Sequence, residues 1–171
     1  MNIRPETPAD ISAIYIVNKR AFRERDAEPQ LVDAIRESDA FVPGLSLVAD
    51  VDGQVVGHIL FSRIHIATQN GDVPAIALAP MAVLPEYQGQ GIGSALVRRG
   101  LEACREQGYG IVIVLGHPTF YPRFGFAAEA AKALQCPWGD CGAAWMALEL
   151  TPGALAGVRG KVVYPPVFDS V

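Results

Sequence analysis

Three glycines at alternating positions, Gly89, Gly91 and Gly93, lie in the stretch Leu84-Pro85-Glu86-Tyr87-Gln88-Gly89-Gln90-Gly91-Ile92-Gly93-Ser94. They fall where a strand-like run gives way to a helix-like one. Residues without a Cβ let successive backbone N–H groups face one space there. The first N–H groups of a helix have no partner within it, and the helix dipole places partial positive charge at the same end. The pattern predicts an anion site suited to a phosphate or pyrophosphate. A P-loop would need Gly-Lys-Ser/Thr, but Gly93 is followed by Ser94-Ala95. The dinucleotide fingerprint G-x-G-x-x-G fails as well, since its third position is Leu96 counted from Gly91 and Ser94 counted from Gly89. A sharp connection with no ligand would need only one glycine.

Groups able to move protons are few. Tyr121 follows an apolar run, and a phenol with its ordinary pKa near 10 is a proton donor at neutral pH. It is equally a residue type that packs in a core beside Phe120 and Phe124. Asp26, Glu28, His58, His65 and His117 are the candidate bases. His58 and His65 lie in one strand-like run at opposite parity, so at most one faces a given side. His117 comes just after a buried strand. Cys104, Cys136 and Cys141 make an odd count, and Cys136-Pro-Trp-Gly-Asp-Cys141 lacks the C-x-x-C spacing. Free thiols are expected, and no metal site.

The elements that must position these residues follow from periodicity and turn chemistry. A short strand at Ile3-Arg4 precedes a helix opened by Pro8-Ala9-Asp10, with Ile11, Ile14, Tyr15 and Phe22 on one side. A second helix spans 29–38, with Leu31, Ala34 and Ile35 on one face. Strands at 45–51 and 54–66 are joined by Asp52-Gly53, and Asn70-Gly71 repeats that hairpin signal before a strand at 75–83. These three form an antiparallel meander. After the glycine turn a helix covers 92–107 and stops at Gly108. Ile111-Val112-Ile113-Val114-Leu115 reads as a short buried strand. Strand, turn, helix and strand make a crossover that sets 75–83 and 111–115 parallel. Strands near 144–150 and 162–164 complete an α+β fold, a mixed α/β arrangement with a central mixed sheet.

Composition bounds the class. With 171 residues, 50% hydrophobic and 19% charged, the chain can bury a full core as one domain, and disorder is not expected. A net charge of −4 with only three lysines (Lys19, Lys132, Lys161) argues against nucleic acid as a partner. The start Met1-Asn2-Ile3-Arg4-Pro5 has no apolar signal region, and no run approaches the ~18–20 apolar residues of a membrane span. No membrane association and a cytoplasmic location are the expectations.

The spacing Gln88-x-x-Gly91-x-Gly93 matches the Q/R-x-x-G-x-G/A motif of the GNAT acetyltransferases, and the chain resembles that superfamily beyond this motif. Met81-Ala82-Val83-Leu84-Pro85-Glu86-Tyr87 is similar to the family's fourth strand and the loop after it. Phe120-Tyr121-Pro122-Arg123-Phe124-Gly125-Phe126 resembles its F-Y-x-x-x-G-F segment. The resemblance covers about residues 3–150, is strongest over 78–126, and is most like the YhbS-like branch.

The resemblance implies one acetyltransferase domain over 1–171 with the GNAT fold and acetyl-CoA as cosubstrate. The pyrophosphate would sit on the backbone of Gln88, Gly89, Gln90, Gly91, Ile92, Gly93 and Ser94. The pantetheine arm would pair with Met81, Ala82 and Val83. A primary amine of a small molecule or a protein would attack the thioester directly, with Tyr121 as the acid that protonates the leaving thiolate. A longer acyl group, or a non-catalytic acetyl-CoA-binding sensor, would use the same turn. A homodimer is an assembly common in the family, and the first two helices and C-terminal part, which set acceptor choice, carry no motif here. In one respect the chain departs from the family. Many members carry Asn, then Ala three residues on, then the tyrosine four later; here those positions are Val114 and His117. Gly116-His117-Pro118 therefore replaces a helix start with a turn, and the Asn contact to the coenzyme is absent.

Overall fold

The structure, a computed structural model, describes residues 1–170. Its strands are β1 (Asn2–Pro5), β2 (Phe41–Val51), β3 (Gln54–Thr68), β4 (Gly71–Val83), β5 (Ile111–Leu115), β6 (Leu134–Gln135), β7 (Trp145–Glu149) and β8 (Gly160–Val163). Its helices are α1 (Ile11–Ala21), α2 (Ala27–Arg36) and α3 (Ile92–Glu106). Hydrogen bonding orders the strands β1-β2-β3-β4-β5-β7, with β8 paired to β3 and β6. β4 and β5 run parallel from Ile76↔Val112 to Leu78↔Val114, while β1–β2, β2–β3 and β5–β7 are antiparallel. This is the mixed sheet, with meander and parallel crossover, that the sequence predicts.

The turns are where the backbone demands glycine. Asp52 (φ 51°) and Gly53 (φ 84°) both take the left-handed region, as a two-residue type I′ hairpin requires. The second hairpin is different. There Gly71 takes φ 110°, Asn70 is not among the positive-φ residues, and Gln69 and Asn70 form the turn. The Thr68 hydroxyl fixes this loop, donating to the Gly71 carbonyl at 2.6 Å and accepting from the Asn70 N–H at 3.1 Å.

The chain divides into two compact units. The first comprises Met1–Ser62, Ala79–Ala103 and the residues from Pro166 onward. Within it, Gly57 of β3 lies against Leu96 and Ile92 of α3, and Gly100 of α3 lies against the Phe61 ring. The opposite face of β3 meets α1 through His58 and Asn18. α1 buries Ile14, Val17 and Asn18, while Ile11 and Ile16 are exposed, which corrects the face expected for it. The polar Asn18–His58 pair, invisible to an apolar count, turns that helix. Arg4 joins β1 to the start of α1 and to β2, reaching Asp10 at 2.7 Å and Asp50 at 3.2 Å. The guanidinium, aided by Thr7, holds the Asp10 carboxyl down to about 2.

The second unit comprises Arg63–Leu78 and Cys104–Pro165. Its core includes Ile64, Ile66, Ile111, Ile113, Trp145 and Val162, and the Trp145 indole donates to the Leu134 carbonyl at 2.9 Å. The free thiols expected at Cys136 and Cys141 are not found: the two form a disulfide with a Cα separation of 6.5 Å. Gly139 (φ 97°) sits in the turn between them and Gly142 (φ 58°) just after it, bringing the Cα atoms into bridging range. Cys104 is free and buried. Among the described residues no helix is long and apolar enough to cross a membrane, and no His/Cys/Asp/Glu group is arranged to hold a metal ion.

Candidate active site

The glycine turn belongs to the first unit. β4 ends at Val83, and the Leu84 N–H donates to Val56 of β3 at 2.9 Å, anchoring the strand as it leaves the sheet. A 3-10 turn, Pro85–Tyr87, follows. Gly89 and Gly91 then take φ 76° and 84°, and each has open space where a Cβ would stand. Left-handed residues at alternate positions can turn consecutive N–H groups toward one side, an arrangement called a nest, whose geometry suits an anion. The first helical hydrogen bond runs from the Ala95 N–H to the Gly91 carbonyl, at 3.1 Å. The N–H groups of Ile92, Gly93 and Ser94 therefore precede the α3 ladder and have no partner within it. No acidic residue stands in the first turn of α3 to oppose an anion.

Side chains brace this backbone. Gln88 folds back to donate from Nε2 to the Val83 carbonyl at 3.0 Å, so it serves the turn's shape. Gln90 donates to the Glu86 carbonyl at 3.4 Å. The Glu86 carboxylate, two residues before the turn, is engaged by both terminal nitrogens of Arg20 at 2.8 Å each. That bidentate pair holds the Glu86 carboxyl below its usual range and balances its charge beside the nest. The parallel register with β5 covers only Ile76, Ala77 and Leu78, and Pro80 has no N–H to offer. Met81, Ala82 and Val83 thus lie beyond the residues that β5 pairs.

Tyr121 belongs to the second unit, in the 3-10 turn Tyr121–Phe124, and is only 6% exposed. Phe120 and Phe126 meet its ring edge-on at 5.0 and 5.7 Å, and the Arg123 guanidinium caps Phe120 at 5.0 Å. Burial pushes its phenol up to about 12, so it keeps its proton throughout the neutral range. The segment Gly116-His117-Pro118 forms the expected turn, and the His117 carbonyl accepts the Phe120 and Tyr121 N–H groups at 3.1 and 3.4 Å.

The candidate bases separate clearly. Asn18 Nδ2 donates to the Ile14 carbonyl and lies 3.0 Å from His58 Nδ1, so Nδ1 accepts and Nε2 carries the hydrogen. Nε2 then donates to Ser46 Oγ at 2.9 Å, and Ser46 donates to Glu6, which Arg36 holds at 2.9 Å. Burial, then the Arg36 charge, lower this imidazole to about 3. His58 is a neutral structural residue. Asp26 binds Lys19 and Tyr15, which hold its carboxyl below the usual range. Glu28 is buried beside Arg25, with Oε2 lacking a partner. His65 sits 3.7 Å from Asp72, and His117 is exposed. The Ser46 and Arg36 parts of the His58 network were missed in the sequence, where nothing but their polarity marks them.

A mixed sheet with a parallel crossover, and an N–H nest between its strand and helix, define the class of an acyl-coenzyme acetyltransferase. Residues 2–128 match the acetyltransferase (GNAT) domain family, and the chain belongs to that family of N-acetyltransferases. It is 39% identical to the uncharacterized N-acetyltransferase YhbS of Escherichia coli K12 over 169 residues, covering 99% of both chains. The crystal structure of Escherichia coli YhbS in complex with CoA superposes with TM-score 0.90 at 38% identity, over 98% of this chain and 91% of that one. A GNAT family acetyltransferase from Brucella melitensis in complex with acetyl-CoA gives 0.80 at 35% identity, over 98% and 97%.

Proposed function

We propose that this acetyltransferase moves the acetyl group of acetyl-CoA directly onto a primary amine, and that the whole chain forms one catalytic domain working in the cytoplasm. The observation that carries the reading is the nest built by Gly89 and Gly91 at the α3 N-terminus. Its bare N–H groups suit a pyrophosphate, and relatives of matching length have been crystallised with CoA and acetyl-CoA. Gln88, Gly89, Gln90, Gly91, Ile92, Gly93 and Ser94 hold the phosphates. Met81, Ala82 and Val83 offer a strand edge to the pantetheine arm, although Gln88 already occupies the Val83 carbonyl.

In the reaction the amine nitrogen bonds to the thioester carbonyl carbon and the carbon–sulfur bond breaks. The phenol proton of Tyr121 passes to the leaving sulfur, and the proton that the amine nitrogen sheds returns through solvent to the phenolate, which restores Tyr121. An α-amine costs only about 1 kcal/mol to deprotonate at pH 7, against roughly 4–5 kcal/mol for a lysine-like amine. The neutral, fully engaged His58 is not the group that receives this proton.

The test is Tyr121→Phe, which keeps the ring and removes the donor. Turnover should fall on the order of 10²-fold with acetyl-CoA affinity nearly constant. Near-normal kcat on an accepted amine would rule the acid role out. Free CoA released together with acetylated amine, followed by mass, separates an enzyme from a sensor that only binds.

A further inference from the structure

We infer that Gly116 is a positioning residue for Tyr121, its bare Cα forming the seat on which the phenol ring lies. The inference rests on the acid role proposed for Tyr121. A Cβ at position 116 would stand 2.5 Å from Tyr121 Cε2, 3.0 Å from Cδ2 and 3.5 Å from Cζ. Cε2 adjoins the carbon that bears the hydroxyl, so a push there displaces the reacting oxygen itself. Gly116 is not among the glycines with positive φ, so its backbone accepts alanine. What excludes a side chain is the ring alone.

The seat cannot easily yield. The Gly116 N–H donates to the Ala144 carbonyl at 2.9 Å, which ties it to the residue that leads into β7. The next residue, His117, holds the Tyr121 N–H through its carbonyl. Phe120 and Phe126 close on the ring from other directions, at 5.0 and 5.7 Å. Restoring ordinary contact to a Cβ therefore requires about 1 Å of movement at the ring, a displacement that can cost on the order of 10²-fold in rate. The Gly116-His117-Pro118 turn thus supplies the tyrosine's support.

The test is a cycle of Gly116→Ala, Tyr121→Phe and the double variant, read as thiol release from acetyl-CoA. Spermidine and alaninamide serve as amine probes, with water as acceptor where neither is taken. Gly116→Ala should lower kcat per folded molecule about tenfold or more while the acetyl-CoA Kd holds, and should cost nothing further beside Tyr121→Phe. Full kcat in Gly116→Ala, or losses that multiply in the double variant, overturns the seat and leaves the Tyr121 reading standing. Unchanged kcat in Tyr121→Phe overturns that reading, and the inference with it. A stability cycle covers a Gly116→Ala protein that does not fold. In the Tyr121→Leu background, which has no ring, Gly116→Ala should then fold and melt close to Tyr121→Leu alone. Loss of folding in that background too overturns the seat.

Discussion

His58 has both ring nitrogens engaged, Nδ1 by Asn18 and Nε2 by Ser46, in a site with no exposure to solvent. Its folded pKa of about 3 lies below its ordinary 6.5. Above 6.5 both folded and unfolded chains carry neutral imidazole, and its contribution to stability is whole. Below 6.5 only the unfolded chain takes up the proton, so stability falls as pH drops toward 3. The loss is on the order of 1.4 kcal/mol per pH unit in that window. Urea unfolding between pH 7 and pH 4 should show this slope, and His58→Gln should remove that part of it; equal slopes would contradict the buried neutral ring. Period-two alternation placed His58 in a strand, yet it could not say that an asparagine on a helix would meet it. Residue roles set by a partner distant in sequence were the least legible part of the chain.

At the scale of elements, α3 was the best read. Its end was marked by Gly108, which takes φ 86°. The Gly108 and Tyr109 N–H groups turn back to the Arg105 and Cys104 carbonyls at 3.0 and 3.1 Å, closing a Schellman cap. These are local signals, complete within a few residues, and so the sequence carries them openly. The packing of the same helix is not local. Gly100 would ordinarily gain stability on becoming alanine, by roughly 0.5–1 kcal/mol, because glycine weakens helices. Here an added Cβ would lie 2.2 Å from Cε2 of the buried Phe61. Gly100→Ala should instead destabilise by roughly 1–3 kcal/mol, the usual cost of overpacking. Chemical denaturation giving a more stable variant would show that α3 does not rest on β3 as described.

Across the whole molecule, the order of elements, the meander and the parallel crossover were legible because turns, periods and one motif agreed with one another. The Cys136–Cys141 bridge was not, since it depends on a reversal around Gly139 that residue spacing does not encode. Coenzyme binding is expected to depend on the nest above all. Gly91→Glu puts bulk and negative charge among its N–H groups, and Gly153→Glu, at φ 85° against 84° for Gly91, imposes the same backbone strain outside the turn. Titration calorimetry with acetyl-CoA should show Gly91→Glu binding at least tenfold more weakly, about 1.4 kcal/mol or more, and Gly153→Glu binding like the parent. Unchanged affinity in a folded Gly91→Glu protein would contradict the assignment of the coenzyme phosphates to this turn.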